Sequence, residues 1–180
     1  MARSKSSWLV VVARLPAQPS RHRVAVWREL RRAGAMPLGG GTWTLPSGRS
    51  TNDTVAQVRE LVARGDGELF VLDAEPWDDE TSRGLEQAYT AGIEDEWLEF
   101  LHDCDKYSAE LARETAIEKF TLAELEEEEQ SLERLRRWHR ALGIRDRFGA
   151  SSAPQATRRL KDCATELDGY AELVYRALGQ

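Results

Sequence analysis

Trp8-Leu-Val-Val-Val-Ala-Arg-Leu-Pro16 is the stretch on which the reading of the fold turns. Three consecutive valines are stiff at χ1 and suit a pleated strand better than a helix. Pro16 then removes a ladder donor. A short apolar run without polar alternation predicts a strand buried on both faces in the middle of a sheet. Downstream, Pro19-Ser20 opens a helix in which Val24, Trp27, Leu30 and Ala33 recur at helical spacing, and Gly34 stops it. Ala35-Met-Pro-Leu-Gly-Gly-Gly-Thr-Trp-Thr-Leu-Pro46 sets two extended pieces around a glycine turn, a hairpin signal. Three glycines can also cradle a phosphate, but no Gly-Lys-Ser/Thr follows, so the hairpin reading is preferred. Asn52 or Asp53 caps a second helix carrying Val55, Val58, Leu61 and Val62. Glu68-Leu-Phe-Val-Leu-Asp-Ala-Glu75 is a last strand, closed by Pro76. The order βαββαβ predicts an α+β protein whose residues 7–77 form a ferredoxin-like sandwich, with one sheet face open unless something covers it.

Residues 78–180 read as a separate helical domain packed on the first. Helices are expected over about 78–118, with a break near Gly92, then 121–143 and 153–178. Thr121 with Glu124 three residues later is a capping box. In the last helix Ala156, Leu160, Cys163, Leu167, Tyr170, Val174 and Ala177 alternate spacings of four and three, the seam of an antiparallel helical hairpin or coiled coil. Dimerisation through this seam is an alternative use of it.

Composition bounds the function. Hydrophobic residues make up 41% and charged residues 31% of 180, ordinary for a strongly helical globular protein. No apolar run is long enough to span a bilayer and no signal peptide is read, so a cytoplasmic location is expected. The cysteines, Cys104 and Cys163, fall on apolar helical stripes and read as small buried hydrophobes, with a disulfide or redox pair as the alternative that a cytosolic setting argues against. Their spacing matches no zinc site. Gly-x-Ser-x-Gly, His-Glu-x-x-His and Gly-x-Gly-x-x-Gly are absent, and histidine occurs only at positions 22, 102 and 139. No catalytic residues and no cofactor are expected.

Charge is divided along the chain. Residues 1–50 carry nine Lys/Arg and one acid, a balance of +8, whereas the whole chain is −6. The basic segment therefore predicts a surface for an anion: nucleic acid, a small oxyanion or the chain's own carboxylates. Arg14 ends the first strand, Arg21 and Arg23 begin the first helix, and Arg28 follows on it. A strand end, a helix N-terminus and guanidinium forks together suit an oxyanion, and His22 among them can make binding pH-dependent. The acidic overall balance argues against a phosphate-wrapping surface.

The carboxylates that would face those arginines are Glu96, Glu99 and Asp103, on a stripe beside Ile93, Trp97, Phe100, Cys104 and Leu111, and Glu128, inside the apolar stripe of Leu125, Leu132, Leu135 and Leu142. A carboxylate on an apolar face needs a partner or a shifted pKa. Three readings of Glu128 stay open: an ion pair with an N-terminal arginine, a solvated rim position, and a functional group. The last includes an enzyme with a divalent metal on Glu96, Asp103 and Glu128. Glu99-Phe-Leu-His102 is the sole Glu-x-x-His match, so the di-metal bundle pattern is poorly met.

Trp8–Pro16 with Pro19–Ala35, Glu94-Asp-Glu-Trp-Leu-Glu-Phe-Leu-His-Asp-Cys104 and Phe120–Trp138 together resemble the N-terminal domain of ChrB-type chromate-resistance proteins, over about residues 8–177. That resemblance implies a chromate-resistance regulator or accessory protein, responsive to chromate or a sulfate-like oxyanion, with DNA contact as a further expectation. Full-length relatives carry another C-terminal domain, so a separate partner supplying it is also expected. Gly41-Thr-Trp-Thr-Leu-Pro46 after a basic helix is more distantly similar to the Cas2-like domain of PaaX-type repressors, which bears on fold rather than activity.

Overall fold

A computed structural model describes residues 7–48 and 51–179; within them the chain is an α+β protein, mostly helical, with a four-stranded antiparallel sheet and five α-helices. The elements in order are β1 (Trp8–Arg14), α1 (Ser20–Arg32), β2 (Met36–Gly39), β3 (Thr42–Pro46), α2 (Thr51–Ala63), β4 (Glu68–Ala74), α3 (Asp79–Ala116), α4 (Leu122–Arg145) and α5 (Ala153–Ala177). Two compact units divide it, Met1–Tyr89 and Thr90–Gln180, and the division falls within α3. No helix among the described residues is long and apolar enough to cross a membrane.

In the first unit the strand order is β2-β3-β1-β4. The valine-rich β1 is central, with Val11 opposite Trp43 on one side and Val71 on the other. Burial alternates along it. Leu9 and Val11 join Val26, Leu30, Ala35, Trp43, Leu45, Val58 and Val62 in one core. Val10 and Val12 point the other way and are half-buried. The expectation of two fully covered faces is thus corrected. On that second face Trp8 packs edge-on against Tyr89 at 5.8 Å, while Phe70 and Leu72 remain 49% and 57% exposed.

Helix α1 also faces differently from its predicted pattern. Val26 and Leu30 are buried, whereas Val24 and Trp27 stand exposed. At about 100° per residue Val26, Leu30 and Ala33 lie within about 60° of one another, and Val24 falls on the far side. The stripe that decides is the i, i+4 pair, and Trp27 is left half-exposed with the Arg31 guanidinium 6.0 Å from its ring centre.

In the second unit α3 runs unbroken through Gly92. One helical glycine costs only about 1 kcal/mol relative to alanine, less than the apolar stripe on either side of it contributes. Ile93, Trp97, Phe100, Cys104, Tyr107 and Leu111 are all buried. Trp97 and Phe100 meet edge-on at 5.9 Å, and both rings pack on His139 of α4, at 5.1 and 5.6 Å. The Thr121 hydroxyl accepts a hydrogen bond from the Glu124 N–H at 3.3 Å, which caps α4 as its sequence predicts. The seam of α5 is buried at Ala156, Cys163, Leu167, Tyr170 and Val174, and Ala177 is exposed.

Candidate anion-binding site

Where β1 ends, α1 begins and the β2–β3 hairpin turns, the first unit has a cavity of about 480 Å3. Arg14, Arg23, Trp27, Trp43 and the turn Gly39-Gly40-Gly41 line it. The turn is fixed by local sterics. Gly41 has φ +80°, a region costly for residues with a Cβ, and a Cβ there would sit 2.6 Å from the Ala13 carbonyl oxygen. In return the Ala13 N–H donates to the Gly41 carbonyl at 3.0 Å, which ties the turn to the strand end that carries Arg14.

Both cavity guanidinium groups are exposed. Arg14 has Glu68 as a distant partner, 4.0 Å away with both side chains 69% exposed, and its guanidinium lies 5.6 Å from the Phe70 ring centre. An ion pair that open and that long contributes on the order of 0–1 kcal/mol. Arg23 donates through Nη2 to the Ala17 carbonyl at 2.9 Å, which aims the fork while leaving its other donors available. The first turn of α1 holds no acid, and no side chain caps it. Its positive end is therefore uncompensated within the helix. Of the four arginines expected to receive an anion, Arg14 and Arg23 share this cavity. Arg21 and Arg28 do not line it and stand exposed on α1.

The expected carboxylates are all in the second unit, and their partners there differ from those the sequence suggested. Glu96 is gripped by both terminal nitrogens of Arg145, at 2.7 and 2.6 Å, with Arg145 only 12% exposed. Asp103 pairs with Lys106 one turn on, at 2.8 Å. N-terminal arginines as counter-ions of these two are therefore corrected: α4 and α3 themselves supply the cations. Glu99 is exposed and Glu96 and Asp103 are half-buried, because the stripe lies beside the apolar face rather than within it. Glu128 is buried, as its place in the leucine stripe requires. Among the described residues its carboxylate meets no cation and no hydrogen-bond donor. It lines a hollow of about 390 Å3 with Asp103, Tyr107, Glu110 and the cations Lys106 and Arg134, neither of which forms an ion pair with it. Burial, followed by the charges of Glu114, Glu110 and Glu127, raises its pKa to about 7.

Glu114 is a buried acid that the sequence reading missed. It holds Lys119 at 3.3 Å and accepts from the Tyr170 hydroxyl at 3.4 Å. The signal was available: Cys104, Tyr107, Leu111 and Glu114 extend the buried stripe of α3 by the same alternation of three and four. Two further acids act as caps. Glu94 accepts from the Ser152 N–H at 3.1 Å, and hydrogen bonds from Ser152 hold its pKa below the usual carboxylate range. Asp146 accepts from the Gly149 and Ala150 N–H groups at 2.9 Å and from Trp97 Nε1 at 3.1 Å. Among the described residues no three His, Cys, Asp or Glu side chains converge as metal ligands.

Comparison with known proteins adds one match. No curated protein and no solved structure matches the chain. A family model described as Protein ChrB, N-terminal, matches residues 23–180, from the cavity's Arg23 through the whole helical unit, and the chain belongs to that family.

Proposed function

We propose that this chain is an oxyanion-responsive regulatory or accessory protein of chromate resistance, and that Arg14 and Arg23 receive the anion. Its family ties it to chromate resistance. The observation that carries the rest is one cavity of about 480 Å3 onto which two lightly committed guanidinium groups open. Chromate and sulfate are tetrahedral dianions, and each oxygen pair on such an ion matches an arginine fork. A tetraoxo anion displaces the volume of only a few waters, about 30 Å3 each, so the cavity takes it with part of its hydration shell. The dianion would displace Glu68 from Arg14, an exchange that costs little because the pair is long and solvated.

The strand order β2-β3-β1-β4, with a helix in each crossover, supports the ferredoxin-like reading of the first unit. The exposed Arg21, Arg28 and Arg31 on α1 favour a second reading, contact with a nucleic-acid backbone. Under it, a gel shift with the chain's own upstream DNA weakens steeply with salt. The metal-enzyme alternative on Glu96, Asp103 and Glu128 has no such support, since Arg145 occupies Glu96.

Calorimetric titration with chromate and with sulfate tests the proposal. Binding by the unaltered chain, weakened about tenfold in Arg23→Ala, is the expected result, equivalent to about 1.4 kcal/mol. An unchanged affinity in the variant would remove the arginines from the function.

A further inference from the structure

The two cysteines lie 59 positions apart in sequence and meet in the core of the helical unit. Cys104 on α3 and Cys163 on α5 are both free and both buried. The Cys163 thiol donates to the Cys104 backbone carbonyl at 3.7 Å, which brings the two residues together across α3 and α5. Around Cys163 stand Ser108 Oγ at 3.8 Å and Arg159 Nη1 at 3.7 Å. Arg159 is itself fixed by Asp105 at 2.9 Å and Glu166 at 3.2 Å, and donates to Ser108 at 2.5 Å. Two thiols buried only for packing would need neither a guanidinium nor a hydroxyl beside one of them. We propose that Cys104 and Cys163 form a dithiol site that a peroxide converts into a reversible disulfide between α3 and α5.

The neighbours assign unequal roles to the two sulfurs. The hydrogen bond from Cys104, then Ser108 and the Arg159 charge, lower the pKa of Cys163 against the opposing effect of burial. The same contact and burial raise that of Cys104. A buried thiol is ordinarily inert, and a nearby cation is what makes one a nucleophile. Cys163 therefore attacks first. Its sulfur forms a bond to one peroxide oxygen, the O–O bond breaks, and the departing hydroxide takes up a proton to leave as water. The product is a sulfenic acid on Cys163. Cys104 then attacks that sulfur: the S–S bond forms, the S–O bond breaks, and the Cys104 proton leaves with the hydroxide as a second water. Overall two thiols and one peroxide give one disulfide and two waters. Both sulfurs are fully buried, and Arg159 beside Cys163 is 22% exposed, so oxidation requires a small neutral oxidant that enters through local opening of the helices around Arg159.

This inference is independent of the anion cavity, which belongs to the other unit. The test treats the intact folded chain with hydrogen peroxide, unfolds it, alkylates free thiols and maps peptides by mass spectrometry under non-reducing conditions. The expected result is a Cys104–Cys163 linked peptide within one chain, lost on treatment with dithiothreitol, and a melting temperature several degrees above that of the reduced chain. In Cys104→Ser, Cys163 is expected to proceed to sulfinic acid that dithiothreitol does not reverse. In Arg159→Met, the link is expected to form about tenfold more slowly. The proposal is overturned if both thiols of the folded chain are still alkylated while peroxide links those of the urea-unfolded chain. It is equally overturned if the link joins two chains.

Discussion

The arginines of the first unit and those of the second unit have the same chemistry and opposite circumstances. Arg14 and Arg23 stand in water around a cavity, with one carboxylate at 4.0 Å and one backbone carbonyl between them. Arg145 and Arg159 are 12% and 22% exposed and are held by carboxylates at 2.6 to 3.2 Å. Water screens the first pair, so losing a partner there costs little and an incoming anion meets a nearly free fork. In the second unit each guanidinium has given up most of its hydration for its acid, so removing the acid strands a buried positive charge, while of the acids Glu96 is the one that water reaches least. A count of basic residues along the chain finds the +8 segment but does not tell these two states apart. Burial and the geometry of the partner do.

The largest expected effect breaks the tightest pair. Arg145→Ala leaves Glu96 half-buried without its bidentate partner and is expected to destabilise the chain by about 3 kcal/mol, read as a lower midpoint in urea at unchanged slope. A loss below about 1 kcal/mol would place Arg145 with the solvated arginines and erase the contrast.

The next effect sharpens the contrast from the acidic side. Glu128 forms no ion pair among the described residues, although Lys106 and Arg134 line the same hollow, and its pKa is raised from 4.5 to about 7. A carboxyl raised in the folded state keeps its proton after the unfolded chain has lost it. The unfolded state then binds fewer protons, so stability falls as pH rises from about 4.5 to about 7 and stays lower above that. Glu128→Gln removes this slope and is expected to stabilise the chain by about 2 kcal/mol at pH 8, with little change at pH 4. Parallel melting curves of the two proteins from pH 4 to pH 8 would contradict the assignment.

The smallest effect comes from the most exposed pair. Glu68→Gln is expected to change stability by less than about 0.5 kcal/mol, while tightening sulfate binding at Arg14 two- to threefold by removing a competitor. A substantial loss of stability would mean that Arg14 is structurally committed.

Much of the fold was legible because local signals and tertiary needs coincide. The valine run and the triple-glycine turn each have one economical conformation and adopt it, and Thr121 caps α4 while the Glu124 carboxylate of the expected box turns to Lys119 at 2.6 Å. Facing was harder. Val24 and Trp27 are spaced as a helical face, but Val26 and Leu30 are the residues the sheet covers, and only the tertiary partner decides between them. Pairing was hardest. The wheel of α3 placed Cys104 on its buried face and the seam of α5 did the same for Cys163, yet neither pattern says that the two meet. Nor could spacing find Arg145 as the partner of Glu96, 49 positions away. Glu114 is the exception, readable had the stripe of α3 been followed one step further.

Nuclear magnetic resonance of the arginine side-chain Nε–H groups and backbone amides during a sulfate titration, repeated with chromate, tests the central claim most directly. The account predicts saturable shifts at Arg14, Arg23 and the Gly40 and Gly41 amides, with Arg145 and Arg159 unmoved. Shifts concentrated at Arg145 or Arg159, or absent from the cavity at saturating anion, would contradict it.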